Sequence, residues 1–172
     1  MTDMETVTCT SEYSYEAGQS VDFHTSTTFD AYSIKVVRDG AKPETVYCVE
    51  GLRGESFPTP IDASVKGCSW PVTHGWEVPA DLKSGGYLVL TTARSATGEE
   101  VEHQHFFAVR AADPGKSADI LFVLCTTTWM AYNNWGGSNS YEGNHTAPCP
   151  VYPSDAADHL TVLHTRFCLP TT

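Results

Sequence analysis

From Glu5 to about Ala112 the chain is written in short runs of alternating apolar and polar residues, with Gly, Pro or Asp between them. A period of two is the mark of a strand with one buried face, and no stretch here shows the 3.6-residue period of a helix. "ETVTCTSE" alternates. "YEAGQSVDFHTST" places Val21 and Phe23 on one face after a glycine turn, and "YSIKVVRDG" points Ile34 and Val36 inward before an Asp-Gly turn signal. "ETVYCVEG" follows, then the proline-bearing loop "GESFPTPID", then "SWPVTHGWEVP", "SGGYLVLTTARS" and "EEVEHQHFFAVRAA". Roughly seven short strands separated by turn signals predict an antiparallel β-sandwich over residues 1–112.

The segment "RAADPGKSAD" reads as a linker, with Pro and Gly flanked by charge. Beyond it the pattern changes. "DILFVLC" is a continuous apolar run, which predicts a strand buried on both faces, as in the parallel sheet of an α/β domain. Residues 113–172 are too few to close a doubly wound sheet. They are expected to form only the first elements of an α/β domain that a second polypeptide or a missing segment completes. The fold class expected is therefore mainly β, a sandwich followed by the start of an α/β unit.

The net charge is −11 and the ten basic residues are scattered, which argues against a nucleic-acid or anionic-membrane surface. No window approaches the ~20 apolar residues of a membrane span. The first residues, "MTDMETVTCTSEYSYE", lack the basic and apolar regions of a secretory signal, so a soluble, cytoplasmic protein is expected. Six cysteines lie at wide, irregular intervals with no CxxC spacing. That speaks against structural zinc and for buried free thiols in a reducing compartment.

Within "LFVLCTTTWMAYNNWGGSNSY", residues 121–141, two tryptophans, two tyrosines and two asparagines crowd around Gly136 and Gly137. The position after a strand's carboxyl end is where α/β sheets bind ligands. Thr128, Trp129, Asn133 and Trp135 are the candidate pocket residues. Read without further context, the stretch is equally a well-packed loop.

This segment resembles the large-subunit family of N,N-dimethylformamidase, in which a strand precedes a Thr-Trp-x-Ala-Tyr-Asn block, Trp-Gly-Gly, a Ser and a Tyr. "YSIKVVRDG", "WEVPADLKSGGYLVL", "FFAVRA" and "LTVLHTRFCLP" are similar to other segments of that family, so the resemblance covers most of the chain. It implies an accessory sandwich followed by an amidotransferase-like α/β catalytic domain. It also implies hydrolysis of small amides at a mononuclear ferric iron held by two tyrosines and a glutamate, hard anionic donors that suit Fe3+. Carried onto this chain, Tyr132 is the candidate tyrosine ligand, with Tyr141 as second choice for the same role. The second tyrosine and the glutamate are expected beyond Thr172, and no catalytic residue is assigned. Cys125 stands where the family has proline, Met130 where glutamine is common, and 144–150 is more polar than the family pattern. These departures leave the fold standing and the substrate open.

Other constellations carry less. Cys125 invites a thiol-nucleophile reading with His145, His159 or His164 as base, but "LCT" lacks the flanking glycines of a nucleophile elbow, and a buried thiol is expected. His103 and His105 share one face of a strand and are expected to be an exposed or interface pair. His159 and His164 receive no role, and Asn144-His145-Thr146 is a glycosylation sequon only in a secreted protein. The rival to the amidase reading is a non-catalytic binding or structural subunit whose aromatic loop anchors a protein interface.

Overall fold

In the computed structural model, residues 5–116, 119–121, 123–133, 135–137 and 139–141 are described. Among these residues eight strands form two facing sheets: β1 (Thr6–Thr10), β2 (Ser14–Tyr15), β3 (Ser20–Thr27), β4 (Ala31–Arg38), β5 (Glu44–Arg53), β6 (His74–Glu77), β7 (Gly85–Arg94) and β8 (Glu100–Val109). One sheet has the order β1-β3-β6, the other β2-β8-β7-β4-β5. Every pairing is antiparallel except that of the two-residue β2 with β8. The sandwich expected from the alternating runs is present, and β2 is the one strand too short to leave a periodic signal.

Alternation does what it promised. Val21 and Phe23 of β3, Ile34 and Val36 of β4, Tyr87 and Val89 of β7, and Phe107 of β8 are fully buried between the sheets. Trp76 and Val78 close the same core from the β6 side. Each side chain of this size contributes roughly 1.5–3 kcal/mol by leaving water, and this apolar layer is the main stabilising force.

β1 departs from alternation, because all five of its residues are buried. Thr6, Thr8 and Thr10 face the opposite sheet. Val7 and Cys9 face outward into a second cluster with Ala63, Cys68 and Trp70 and with the half-buried Phe57 and Trp135. The segment between β5 and β6, with its short helix α1 (Ala63–Lys66), thus lies over the outer face of the smaller sheet.

The histidine pair on β8 is buried, which corrects the expectation of an exposed or interface pair: His103 is 8% and His105 1% exposed. The reason is a hydroxyl layer on the facing strands. Thr8 pairs with Thr25 at 2.9 Å and accepts from Thr91 at 2.8 Å. Thr10 Oγ1 spends its one proton on the Glu12 carbonyl, so at 2.9 Å it accepts from His105 Nε2–H. Burial, helped by His103, pushes His105 down to about 3, in keeping with a neutral ring whose Nε2–H donates to Thr10.

β5 is the outer strand of the larger sheet and is mostly exposed. Its pairing with β4 is interrupted by two register shifts, and Gly51 takes a φ of 70° there. Such bulges bend an edge away from further pairing.

No strand forms at 119–121 or 123–125, contrary to the expectation for "DILFVLC". A strand needs a hydrogen-bonded neighbour, and among the described residues none of the sandwich edges supplies one to this run. Ile120, Leu121 and Val123 are accordingly 85%, 84% and 70% exposed. A helix, α2 (Thr126–Tyr132), follows where a loop was expected. Asn144, His145, Cys149, His159, Cys168 and the "LTVLHTRFCLP" segment lie outside the described residues.

Candidate functional site

At the start of α2 the Cys125 carbonyl accepts from the N–H groups of Thr128 and Trp129, and no side chain caps the helix. A seven-residue helix without a cap is marginal by itself, so its packing must hold it. Trp129 supplies that packing: its ring meets Phe106, on the outer side of β8, edge to face at 5.5 Å. The chain then leaves helical geometry at Asn133, whose side-chain oxygen accepts from Trp135 N–H in an Asx turn.

Trp135 turns toward the other sheet. Its ring meets Trp70 at 5.7 Å and nearly at right angles, and Trp70 donates its indole N–H to the Pro58 carbonyl. Gly136 follows at φ 90°, and a Cβ there would fall 2.8 Å from the backbone nitrogen of Ser64. Glycine is required at this point for both the backbone conformation and the close approach. The two tryptophans of the motif therefore clamp it to the sandwich at two places. A cavity of about 180 Å³ opens beside the second, lined by Trp70, Trp135, Phe57, Val7, Ser26 and Glu5 among others.

Beyond Gly137 the chain folds back. Ser140 N–H donates to the Ala131 carbonyl, Asn139 donates to the Tyr132 carbonyl, and Tyr141 N–H donates to the Asn139 side chain. These bonds bring Tyr141 onto Tyr132, with ring centroids 4.6 Å apart and planes 28° from parallel. The two rings are 44% and 49% exposed. The Tyr141 hydroxyl is raised above its ordinary value, first by the charge of Tyr132, then by burial and by the hydrogen bond it donates to the same neighbour.

The structure thus joins Tyr132 and Tyr141, the two tyrosines singled out by sequence. It does not gather the other candidates around them. Trp135 lines the cavity, but Thr128, Trp129 and Asn133 do not, and Thr128 is exposed. Trp70 and Phe57, the walls that meet Trp135, carried no signal in the sequence beyond being aromatic in a loop. Cys125 is exposed, where a buried thiol was expected. The described cysteines are all free thiols, Cys9 and Cys68 buried, Cys48 and Cys125 exposed. Among the described residues no group of three or more His, Cys, Asp or Glu side chains could hold a metal, and no helix is long and apolar enough to cross a membrane.

No curated protein matches the chain in sequence. Among solved structures it is similar to Spo0M, the sporulation control protein of Bacillus subtilis, with 13% identity and a TM-score of 0.42 over 62% of this chain and 49% of that one. The chain thus spans about half the length of Spo0M. It is also similar to murine CRIg, at 14% identity and a TM-score of 0.40, covering 62% of this chain and 97% of that one. CopC from Methylosinus trichosporium OB3b is 19% identical with a TM-score of 0.37, covering 63% of this chain and 97% of that one. A family model described as N,N-dimethylformamidase beta subunit-like, C-terminal, matches residues 28–164, from the turn after β3 through the whole aromatic segment. The chain belongs to the N,N-dimethylformamidase beta subunit-like, C-terminal family.

Proposed function

We propose that this chain is part of a metal-dependent hydrolase that cleaves a small amide, with its sandwich as the accessory domain and its aromatic segment as one wall of the active site. The observation that carries the reading is the stacked Tyr132–Tyr141 pair at 4.6 Å, two exposed phenols in the segment that marks the family. Their oxygens are hard donors of the type a ferric ion takes. Tyr132 is the proposed ligand and Tyr141 its partner or substitute.

Bound there, the ion would supply Lewis acidity toward an amide carbonyl. What the chain itself does is more limited. Tyr132 and Tyr141 give up their phenolic protons to the solvent on binding. Trp129 and Trp135, anchored on Phe106 and Trp70, hold the segment that carries them. Asn133 holds the turn between them. The remaining donors and the rest of the α/β domain come, on this reading, from a second polypeptide. The unpaired apolar run at Ile120, Leu121 and Val123 is the surface it would cover as a neighbouring strand.

Titration of the full chain with ferric ion, read as a visible tyrosinate-to-iron band, tests the proposal. A band that is lost in Tyr132→Phe supports it. Absence of any band in the chain purified with its native partner ends it. The same exposed apolar run favours a second reading, a non-catalytic subunit whose aromatic segment is an interface anchor. A stable hetero-complex without iron would establish that one instead. A thiol hydrolase based on Cys125 would retain its metal and lose activity in Cys125→Ser.

A further inference from the structure

Ser11, His24 and the Trp70 carbonyl stand in line on the outer side of the smaller sheet. Ser11 Oγ lies 2.8 Å from His24 Nε2, and His24 Nδ1 lies 2.8 Å from the Trp70 carbonyl oxygen. A carbonyl can only accept, so Nδ1 carries the proton in the neutral ring. Nε2 is then bare, and Ser11 donates its hydroxyl proton to it. The tautomer is thus set by backbone, not chosen.

Each member is held in place by the fold. Ser11 follows β1, and its N–H donates to the Asp22 carbonyl. His24 sits on β3 opposite Cys9, whose thiol donates to the His24 carbonyl. Trp70 is buried in the outer cluster, with its indole N–H tied to Pro58. Ser11 and His24 are themselves only part-buried. Ser26, two residues along the same face of β3, lines the 180 Å³ cavity together with Trp70.

We infer that Ser11 is a nucleophilic serine activated by His24, with the Trp70 carbonyl as the group that orients the base. A hydroxyl, a base within hydrogen-bond reach and a third group fixing the base make up the arrangement used for acyl transfer. The substrate class is a small, activated carboxylic ester. Ser11 Oγ attacks the carbonyl carbon while its O–H bond breaks and the proton passes to His24 Nε2. The ester C–O bond then breaks, and the alcohol leaves with that proton. A water molecule repeats the sequence on the acyl-serine, releasing the acid and restoring Ser11 and neutral His24. This site shares no residue with the Tyr132–Tyr141 pair and stands or falls apart from it.

The test is labelling of the full chain with a fluorophosphonate, mapped by peptide mass, alongside turnover of p-nitrophenyl acetate. The label is expected on Ser11, absent in Ser11→Ala. In His24→Asn, whose side-chain nitrogen can still reach the Trp70 carbonyl while the base is gone, the rate should fall by about 100-fold or more. A label found elsewhere, no label at all, or an undiminished rate in a folded His24→Asn chain would overturn the inference. Should that variant not fold, the mapped position in the unaltered chain decides alone.

Discussion

Thr8 of β1 donates its backbone N–H to Nδ1 of His103 on β8, at 3.2 Å, so a histidine of one sheet caps the open edge of the other. β1 is the outer strand of its sheet, and Thr8 stands opposite Thr25 in the pairing with β3. An outward N–H at such a position is either a template for another strand or a buried donor that needs an acceptor. His103 answers both requirements. His103→Ala is expected to cost at least about 1–3 kcal/mol from the orphaned N–H, with a further cost for the space left. Chemical denaturation measures the loss, and light scattering should show added self-association through β1.

His105 makes the fold sensitive to acid. Its folded value, about 3, lies below the ordinary 6.5, because charging the ring would bury a cation beside His103. The unfolded chain therefore binds the proton first as pH falls. Stability is full above about 6.5 and is lost progressively as pH drops toward 3, by up to about 5 kcal/mol. Melting temperature against pH should trace this slope. In His105→Gln, which keeps a donor for Thr10, the curve should flatten over that interval.

Tyr132→Phe removes the charge and the hydrogen bond that raise its neighbour. The Tyr141 hydroxyl should then titrate at lower pH, moving back toward 10, with only its residual burial holding it up. Ultraviolet difference titration reads the shift directly. An unmoved Tyr141 would mean that the two rings do not stack in solution.

Gly136→Ala tests how the aromatic segment is seated. The added Cβ would meet the Ser64 backbone at 2.8 Å, in a backbone conformation that costs an L-residue roughly 1–2 kcal/mol. Trp135 should lift from Trp70, seen as a loss of near-ultraviolet dichroism. The melting of the sandwich should change little, because its main core shares no residue with this contact. The contrasting control is Phe23→Ala, in the middle of that core, expected to cost about 3–5 kcal/mol.

Alternation alone was enough to read the sandwich. Val21, Phe23, Ile34 and Val36 declare their burial because a strand's two faces differ by one residue, and that period survives in any tertiary setting. The tyrosine pair was legible as composition and as a family resemblance; the contact between Tyr132 and Tyr141 was not, because three hydrogen bonds across a reversal in the chain create it.

What the sequence determined by itself was the strand pattern, the turns and the family, all carried by residues near one another in the chain. The tertiary structure decided the rest. "HQH" reads as a polar strand face until Thr8 and Thr10, some 95 residues away, supply partners that let it be buried. "ILFVLC" reads as a buried strand, yet a strand exists only against a neighbour, and none is paired to it among the described residues. Ser11, His24 and Trp70 are 13 and 46 residues apart and share no local pattern. Only the sheet register and the loop laid over it bring hydroxyl, imidazole and carbonyl into one line.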